Sequence, residues 1–114
     1  YNLETLLAEK IETVISRNIA NTRPRDFYDI YILHRLHEKS FSSDILKKAI
    51  EATATKRGSL PAILGYRKAM LDVAASDRMN GFWNKYQKDY SYAAGIHFND
   101  VCQLIIDILN GLGF

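Results

Sequence analysis

Two consecutive helical repeats near the start of the chain constrain its fold most, because charge interrupts the apolar arc of each. Side chains three, four and seven apart share a helix face. On the first repeat Leu3, Leu6, Leu7, Ile11, Val14 and Ile15 form that arc, with Lys10 on its flank and Arg17 seven residues further on. Glu4, Thr5, Glu9, Glu12, Thr13 and Ser16 supply most of the remaining, solvent-facing surface. The second repeat follows the basic turn Asn21-Thr22-Arg23-Pro24-Arg25. There Phe27, Tyr28, Ile30, Tyr31, Ile32, Leu33 and Leu36 nearly encircle the helix, which predicts burial on most sides. Asp26 and Asp29, i and i+3, share a face with Leu33 and Leu36. An unpaired carboxylate there loses several kcal/mol of solvation, on the order of the cost of any unpartnered buried charge. It therefore needs a partner, and Lys10, Arg17 and Arg25 are the nearest cations in sequence.

A structural account covers much of this. Pro24 suits the first helical position, which puts Asp26 in the first turn, where the helix dipole favours a carboxylate. Lys10 can lay its methylenes on the apolar edge and keep its ammonium in water. Asp29 lies one turn deeper, and an ion pair with Arg17 or Arg25 would explain it. On physical grounds alone a structural ion network has the stronger claim, while paired charges of this kind also mark candidate sites.

The segment from Tyr1 to Glu12, with Ser16-Arg17, Asn21-Thr22-Arg23 and Arg25-Asp26-Phe27-Tyr28-Asp29-Ile30-Tyr31, resembles the AbiEii/AbiGii toxin family of nucleotidyltransferases. These are the toxin halves of type IV toxin-antitoxin and phage abortive-infection systems. The likeness extends over essentially the whole chain, more loosely at Asp44 to Gly58 and Trp83 to Leu109. It implies a DNA polymerase β-like enzyme with a split active site. One half carries a Gly-Ser turn and an Asp-x-Asp pair for metal and triphosphate; a helical half supplies a lysine and an aspartate. The family's lysine motif falls on Lys10 and its aspartate motif on Asp26, with Asp29 in the same block. By the resemblance, Lys10 would neutralise nucleotide phosphates and Asp26 would support the nucleophile or orient the lysine, with Arg17 and Arg25 in support. Arg25 departs from the family, which more often has lysine there; the charge survives.

No Gly-Ser followed by Asp-x-Asp occurs, nor a glycine-rich phosphate loop, nor a stretch alternating like a strand. The expectation is thus an all-α bundle of five or six helices spanning residues 1–114, the C-terminal helical part of such an enzyme without its metal-binding half. An opening at Tyr1 rather than methionine agrees with that. The whole enzyme would use Mg2+ and a nucleoside triphosphate, with RNA as the candidate acceptor and a cognate antitoxin as its functional partner. The 114 residues alone are expected to bind no metal or cofactor and to be inactive, and to self-associate where the other half would cover them. A non-enzymatic helical interaction module is the alternative. A helix-turn-helix DNA reader is a weaker one, since its recognition helix would be apolar on nearly all sides.

At 114 residues with 47% of them hydrophobic, the chain can bury roughly two-thirds of its unfolded surface, enough for one core. Its formal charge of +2 is too small for general nucleic-acid affinity, which leaves local clusters. One is Lys10, Arg17, Arg23 and Arg25; the other, Lys47, Lys48, Lys56 and Arg57, reads as a solvated helix face and end. The single Cys102 allows no internal disulfide and points to a reducing, cytoplasmic setting. His34 and His37 have metal-compatible spacing but lack completing ligands. No apolar run reaches membrane length.

Further helices are punctuated clearly. Phe41-Ser42-Ser43 opens a third, with Ile45, Leu46, Ala49 and Ile50 inward, and Gly58 closes it. Pro61 begins a fourth through Ile63, Leu64, Met70, Leu71 and Val73, with Gly65 in its first turns. Asp77 is the expected cap of a fifth, whose Met79, Phe82, Trp83, Tyr86 and Tyr90 read as a core stripe rather than a base-stacking surface. Asn99 is the expected cap of the last, with Val101, Leu104, Ile105, Ile108, Leu109 and Leu112 inward.

Overall fold

A computed structural model describes residues 2–114; Tyr1, the first residue of the motif-bearing segment, lies outside the described residues. They fold into seven α-helices: α1 Leu3–Arg17, α2 Pro24–His37, α3 Ser43–Arg57, α4 Leu60–Leu64, α5 Tyr66–Ala75, α6 Asp77–Asp89 and α7 Phe98–Gly111. Single 3-10 turns at Asn18–Ala20 and Ser91–Ala93 follow α1 and α6, and no strand occurs among the described residues.

The all-α class is as the sequence implies, but the helix count is seven rather than five or six. The difference lies at Gly65, where the fourth repeat divides into α4 and α5. The Gly65 N–H donates to the carbonyls of both Pro61 (3.3 Å) and Ala62 (3.1 Å), which closes α4 and starts a new axis. Of the apolar residues in that repeat, Leu64 and Leu71 face solvent.

Cap chemistry sets most boundaries. The Asn2 side chain accepts from the Thr5 N–H at 2.7 Å, and Ser42 accepts from Ile45 at 3.3 Å. At the end of α3, Gly58 adopts a left-handed conformation (φ 71°), and the Ser59 and Gly58 N–H groups donate to the Ala54 and Thr55 carbonyls. That is the pattern of a Schellman cap. Two expected caps shift. Ser76, not Asp77, caps α6 by accepting from Met79 at 3.2 Å, which leaves Asp77 in the first turn. At α7 the cap position is His97, without a side-chain bond, because the buried Phe98 draws the helix start ahead of Asn99.

The core is organised around α1, which touches α2, α3, α4 and α5. Leu7, Ala8, Ile11 and Val14 on it are completely buried. Helix α7 packs across α5 and α2 through Val101, Ile105 and Leu109, while Phe27 of α2 meets Phe98 edge-on at 5.1 Å. The Trp83 indole N–H donates to the Ile96 carbonyl at 3.0 Å, tying α6 to the loop before α7. A radius of gyration of 13.3 Å is what close packing of such a length gives, about 13 Å. Three residues expected inside are not: Ile45, Leu36 and Tyr90 are 48%, 68% and 47% exposed. Helix α2 is accordingly buried along one face, at Asp26, Phe27 and Ile30, rather than on most sides.

This arrangement makes α1 the most sensitive element. Ile11→Ala should lower the unfolding free energy by about 2–5 kcal/mol in chemical denaturation. Leu71→Ala, at an exposed site, should stay within about 0.5 kcal/mol. Equal effects of the two would contradict the burial of α1.

Candidate functional site

The site begins at the connection between α1 and α2. Asn18 carries a positive φ of 51°, a conformation Asn tolerates better than most residues, and turns the chain sharply out of α1. Fully buried Asn21 accepts from the Arg23 N–H at 2.7 Å, and Pro24 then starts α2. Asp26 falls in the first turn, its N–H donating to the Arg23 carbonyl at 3.1 Å. Asp29, one turn on, projects back towards α1.

There Lys10 Nζ meets Asp29 Oδ2 at 2.9 Å, a charge-assisted hydrogen bond between side chains about a quarter exposed. Arg25 Nε approaches the same oxygen at 3.8 Å. Two cations thus share one carboxylate, leaving net positive charge at the surface. An ammonium has three donors and Asp29 engages one of those of Lys10.

Asp26 is held differently. Only 6% exposed, it lies 3.8 Å from Arg23 Nε, close enough for attraction but beyond hydrogen-bond reach. Its Oδ2 has no hydrogen-bond partner among the described residues. The same holds for Asn18 Oδ1 and Asn21 Nδ2, so all three such buried atoms belong to this one connection. Unsatisfied buried polar atoms are rare, and their concentration calls for an explanation.

Of the five residues singled out from the sequence, Lys10, Asp29 and Arg25 come together, and Asp26 lies one turn back on the same helix. Arg17 does not join them. It is exposed and makes no ion pair with Asp26 or Asp29. Seven residues is two helical turns, about 10 Å along the axis, which carries Arg17 past the pair. No group of three or more His, Cys, Asp or Glu among the described residues is placed to hold a metal. Asp29 is already engaged by two cations, whose charge opposes a divalent ion, so these residues do not fit the metal that the resemblance implies. His34 and His37 instead flank the Phe41 ring, at 6.3 and 6.5 Å. The buried Cys102 thiol is pushed up to about 12 by desolvation, which leaves it a core side chain rather than a nucleophile.

Two features escape the sequence reading. Glu12, assigned to the polar surface, is 3% exposed. Its Oε1 accepts from Ser16 and Ser59, each at 2.8 Å, and its Oε2 accepts from Arg57. Arg57 is therefore not simply a solvated helix end. The available signal was Ala8 between Glu4 and Glu12, a small residue in an i, i+4 row where another helix can approach closely. The second feature is a tyrosine cluster. Tyr28 lies 4.8 Å from Tyr92, Tyr86 lies 4.8 Å from Tyr90, and the Tyr86 and Tyr92 hydroxyls are hydrogen-bonded at 2.8 Å. Burial raises the Tyr86 and Tyr28 hydroxyls above the ordinary range, so both stay neutral.

Burial by itself would raise the Glu12 carboxyl, but hydrogen bonds from Ser16, Arg57 and Ser59 and the Arg57 charge outweigh it and hold the group below its ordinary 4.5. A depressed folded-state pKa stabilises fully above the unfolded value and is lost as pH falls through the folded one. Acid titration of stability should therefore fall off below about pH 4.5 in the parent, and less in Glu12→Gln. At neutral pH that variant should lose about 1–3 kcal/mol. An unchanged acid limb would contradict the network.

Neither a curated protein nor a solved structure matches the chain. A family model described as "Nucleotidyl transferase AbiEii toxin, Type IV TA system" matches residues 1–103, which contain Lys10, Arg25, Asp26 and Asp29. The chain belongs to the AbiEii nucleotidyltransferase toxin family of type IV toxin-antitoxin systems.

Proposed function

We propose that residues 1–114 are the helical half of a toxin that transfers a nucleotidyl group from a nucleoside triphosphate to an acceptor, with RNA the favoured acceptor. Its setting would be phage defence in a bacterial cytoplasm, opposed by the antitoxin that a type IV system implies. No helix among the described residues is long and apolar enough to cross a membrane.

The observation that carries this reading is the convergence of Lys10 and Arg25 on Asp29. A structural pair needs one cation. A second on the same oxygen, with its side chain 73% exposed, leaves positive charge available to an incoming anion. Lys10 would use its remaining donors on phosphate oxygens, with Asp29 fixing its direction. Such preorganised charge stabilises the phosphoryl oxygens as negative charge builds in transfer. Asp26, whose buried Oδ2 faces Arg23 Nε at 3.8 Å, would act from beneath the surface by holding the cationic turn in place, and Arg25 reinforces the phosphate contact. Arg17 has no part in this arrangement. The divalent ion is left to the Asp-x-Asp half, because the residues here do not fit it. Residues 1–114 alone would then be inactive.

Nucleotide transfer by a protein joining these residues to a half carrying Gly-Ser and Asp-x-Asp tests the proposal. Lys10→Ala should lower the transfer rate about 100- to 1,000-fold, the scale of removing one charge-stabilising donor. Stability should change by no more than about 1 kcal/mol, since the ion pair is partly exposed. Undiminished transfer by Lys10→Ala would sink the assignment, and transfer by residues 1–114 alone would refute the split site.

A further inference from the structure

Beside the ion cluster lies an aromatic surface that phosphate binding does not use. Tyr90 and Tyr92 are 47% and 52% exposed, with ring centroids 5.4 Å apart. Each is braced from behind: Tyr86 sits 4.8 Å from Tyr90, and Tyr28 sits 4.8 Å from Tyr92. The Tyr86–Tyr92 hydroxyl bond fixes the orientation of both rings. The turn that displays them is also tied down. Ala93, fully buried, donates its N–H to the Tyr90 carbonyl at 3.0 Å, and its own carbonyl accepts from the Gln87 amide at 3.1 Å.

This surface is continuous with the ion cluster. Arg25, Tyr28 and Asp29 occupy positions i, i+3 and i+4 of α2 and share one face. Tyr28 in turn packs against Tyr92 with ring centroids 4.8 Å apart, which joins the aromatic surface to the face that carries Arg25 and Asp29. Periodicity placed Tyr90 in the core stripe of α6. It leaves that stripe because it is the C-cap residue, with φ −131° and ψ 102°, and the chain turns outward there.

Held rings with exposed area beside cations form the combination that binds single-stranded nucleic acid: rings stack on bases and cations hold the backbone. Arginine and lysine alone would hold any phosphate; the tyrosines add a reason to prefer one that carries a base. We infer that Tyr90 and Tyr92 form a stacking shelf for a nucleobase whose phosphate lies at Lys10 and Arg25, an assignment that rests on the phosphate reading of that pair. The base can belong to the donor nucleotide or to a single-stranded RNA acceptor; the chemistry of recognition is the same.

The test compares binding of a short oligoadenylate, an abasic ribose-phosphate chain of equal length and ATP to the protein at low salt, by fluorescence. The oligoadenylate should bind roughly tenfold tighter than the abasic chain, the scale of one stacked base. Tyr90→Leu should remove that advantage and leave abasic binding unchanged, while Tyr90→Phe keeps it. Tyr92→Leu serves as the second variant, with circular dichroism checking that each folds. Parallel loss of ATP affinity assigns the shelf to the donor; loss for the oligoadenylate alone assigns it to the acceptor. Equal binding of the two chains, no binding of either, or indifference to Tyr90→Leu would each overturn the shelf. If Lys10→Ala still weakened both chains in that case, the phosphate reading would stand without it. Tyrosine-dependent base preference insensitive to Lys10→Ala would retain the shelf and remove the phosphate reading.

Discussion

Everything in this fold depends on α1 being surrounded. Four helices rest on it, so each polar side chain it carries must find a partner inside the protein or reach water along an edge. Glu12 finds Arg57, Ser16 and Ser59; the Thr13 hydroxyl donates to the Glu9 carbonyl at 2.8 Å; Lys10 finds Asp29. These contacts fix which helix stands against which side of α1. The Glu12 network holds the end of α3 and the start of α4, and the Lys10 pair holds α2. One buried helix thereby positions both the packing of the bundle and the charged face of α2.

The two kinds of ion pair on α1 differ in what they leave over. Around Glu12 every carboxylate oxygen is engaged and the lowered pKa follows from that saturation. Around Asp29 there is more cation than carboxylate, and one turn away Asp26 retains an oxygen without a hydrogen bond. Asp26 Oδ2 is balanced only by the Arg23 charge at 3.8 Å, so this cluster is held more loosely than the one around Glu12. The saturated pair belongs to the core and the unsaturated one to the candidate site. The distinction rests on geometry, since both sets combine ordinary residue types.

Local signals were legible in the sequence, and tertiary ones were not. Ser42, Gly58 and Pro24 mark helix ends by their own backbone and side-chain chemistry, which needs no distant partner. The all-α class follows from the 3.6 periodicity. Ser76 and Asp77 can each cap, and only the structure chooses between them. Gly65 divides a helix that periodicity alone would run through. Glu12 looked solvated because nothing in its own helix reveals that Arg57, 45 residues later, returns to meet it. For the candidate site, the need of the Asp29 block for a cation was readable, but Lys10 was only one of three offered and the sequence favoured Arg17 or Arg25 for Asp29. The failure of Arg17 to join was not readable, because shared azimuth on a helix says nothing about distance along its axis.

The tyrosines show how one face of α2 brings together two kinds of side-chain chemistry. Its i, i+3 and i+4 positions give a guanidinium, an aromatic ring and a carboxylate, so charge and stacking surface arise from a single turn of helix. Helix α6 then adds Tyr86 beneath and Tyr90 at its end, and the following 3-10 turn adds Tyr92. Because α1 fixes α2, and α2 contacts α6, the spacing between cation and ring is set by the packed core rather than by a mobile loop. A ligand that carries both phosphate and base would meet a surface already arranged, and would lose less affinity to ordering it. The same coupling implies that loosening α1 disturbs charge and shelf together, whereas trimming one exposed tyrosine disturbs the shelf alone.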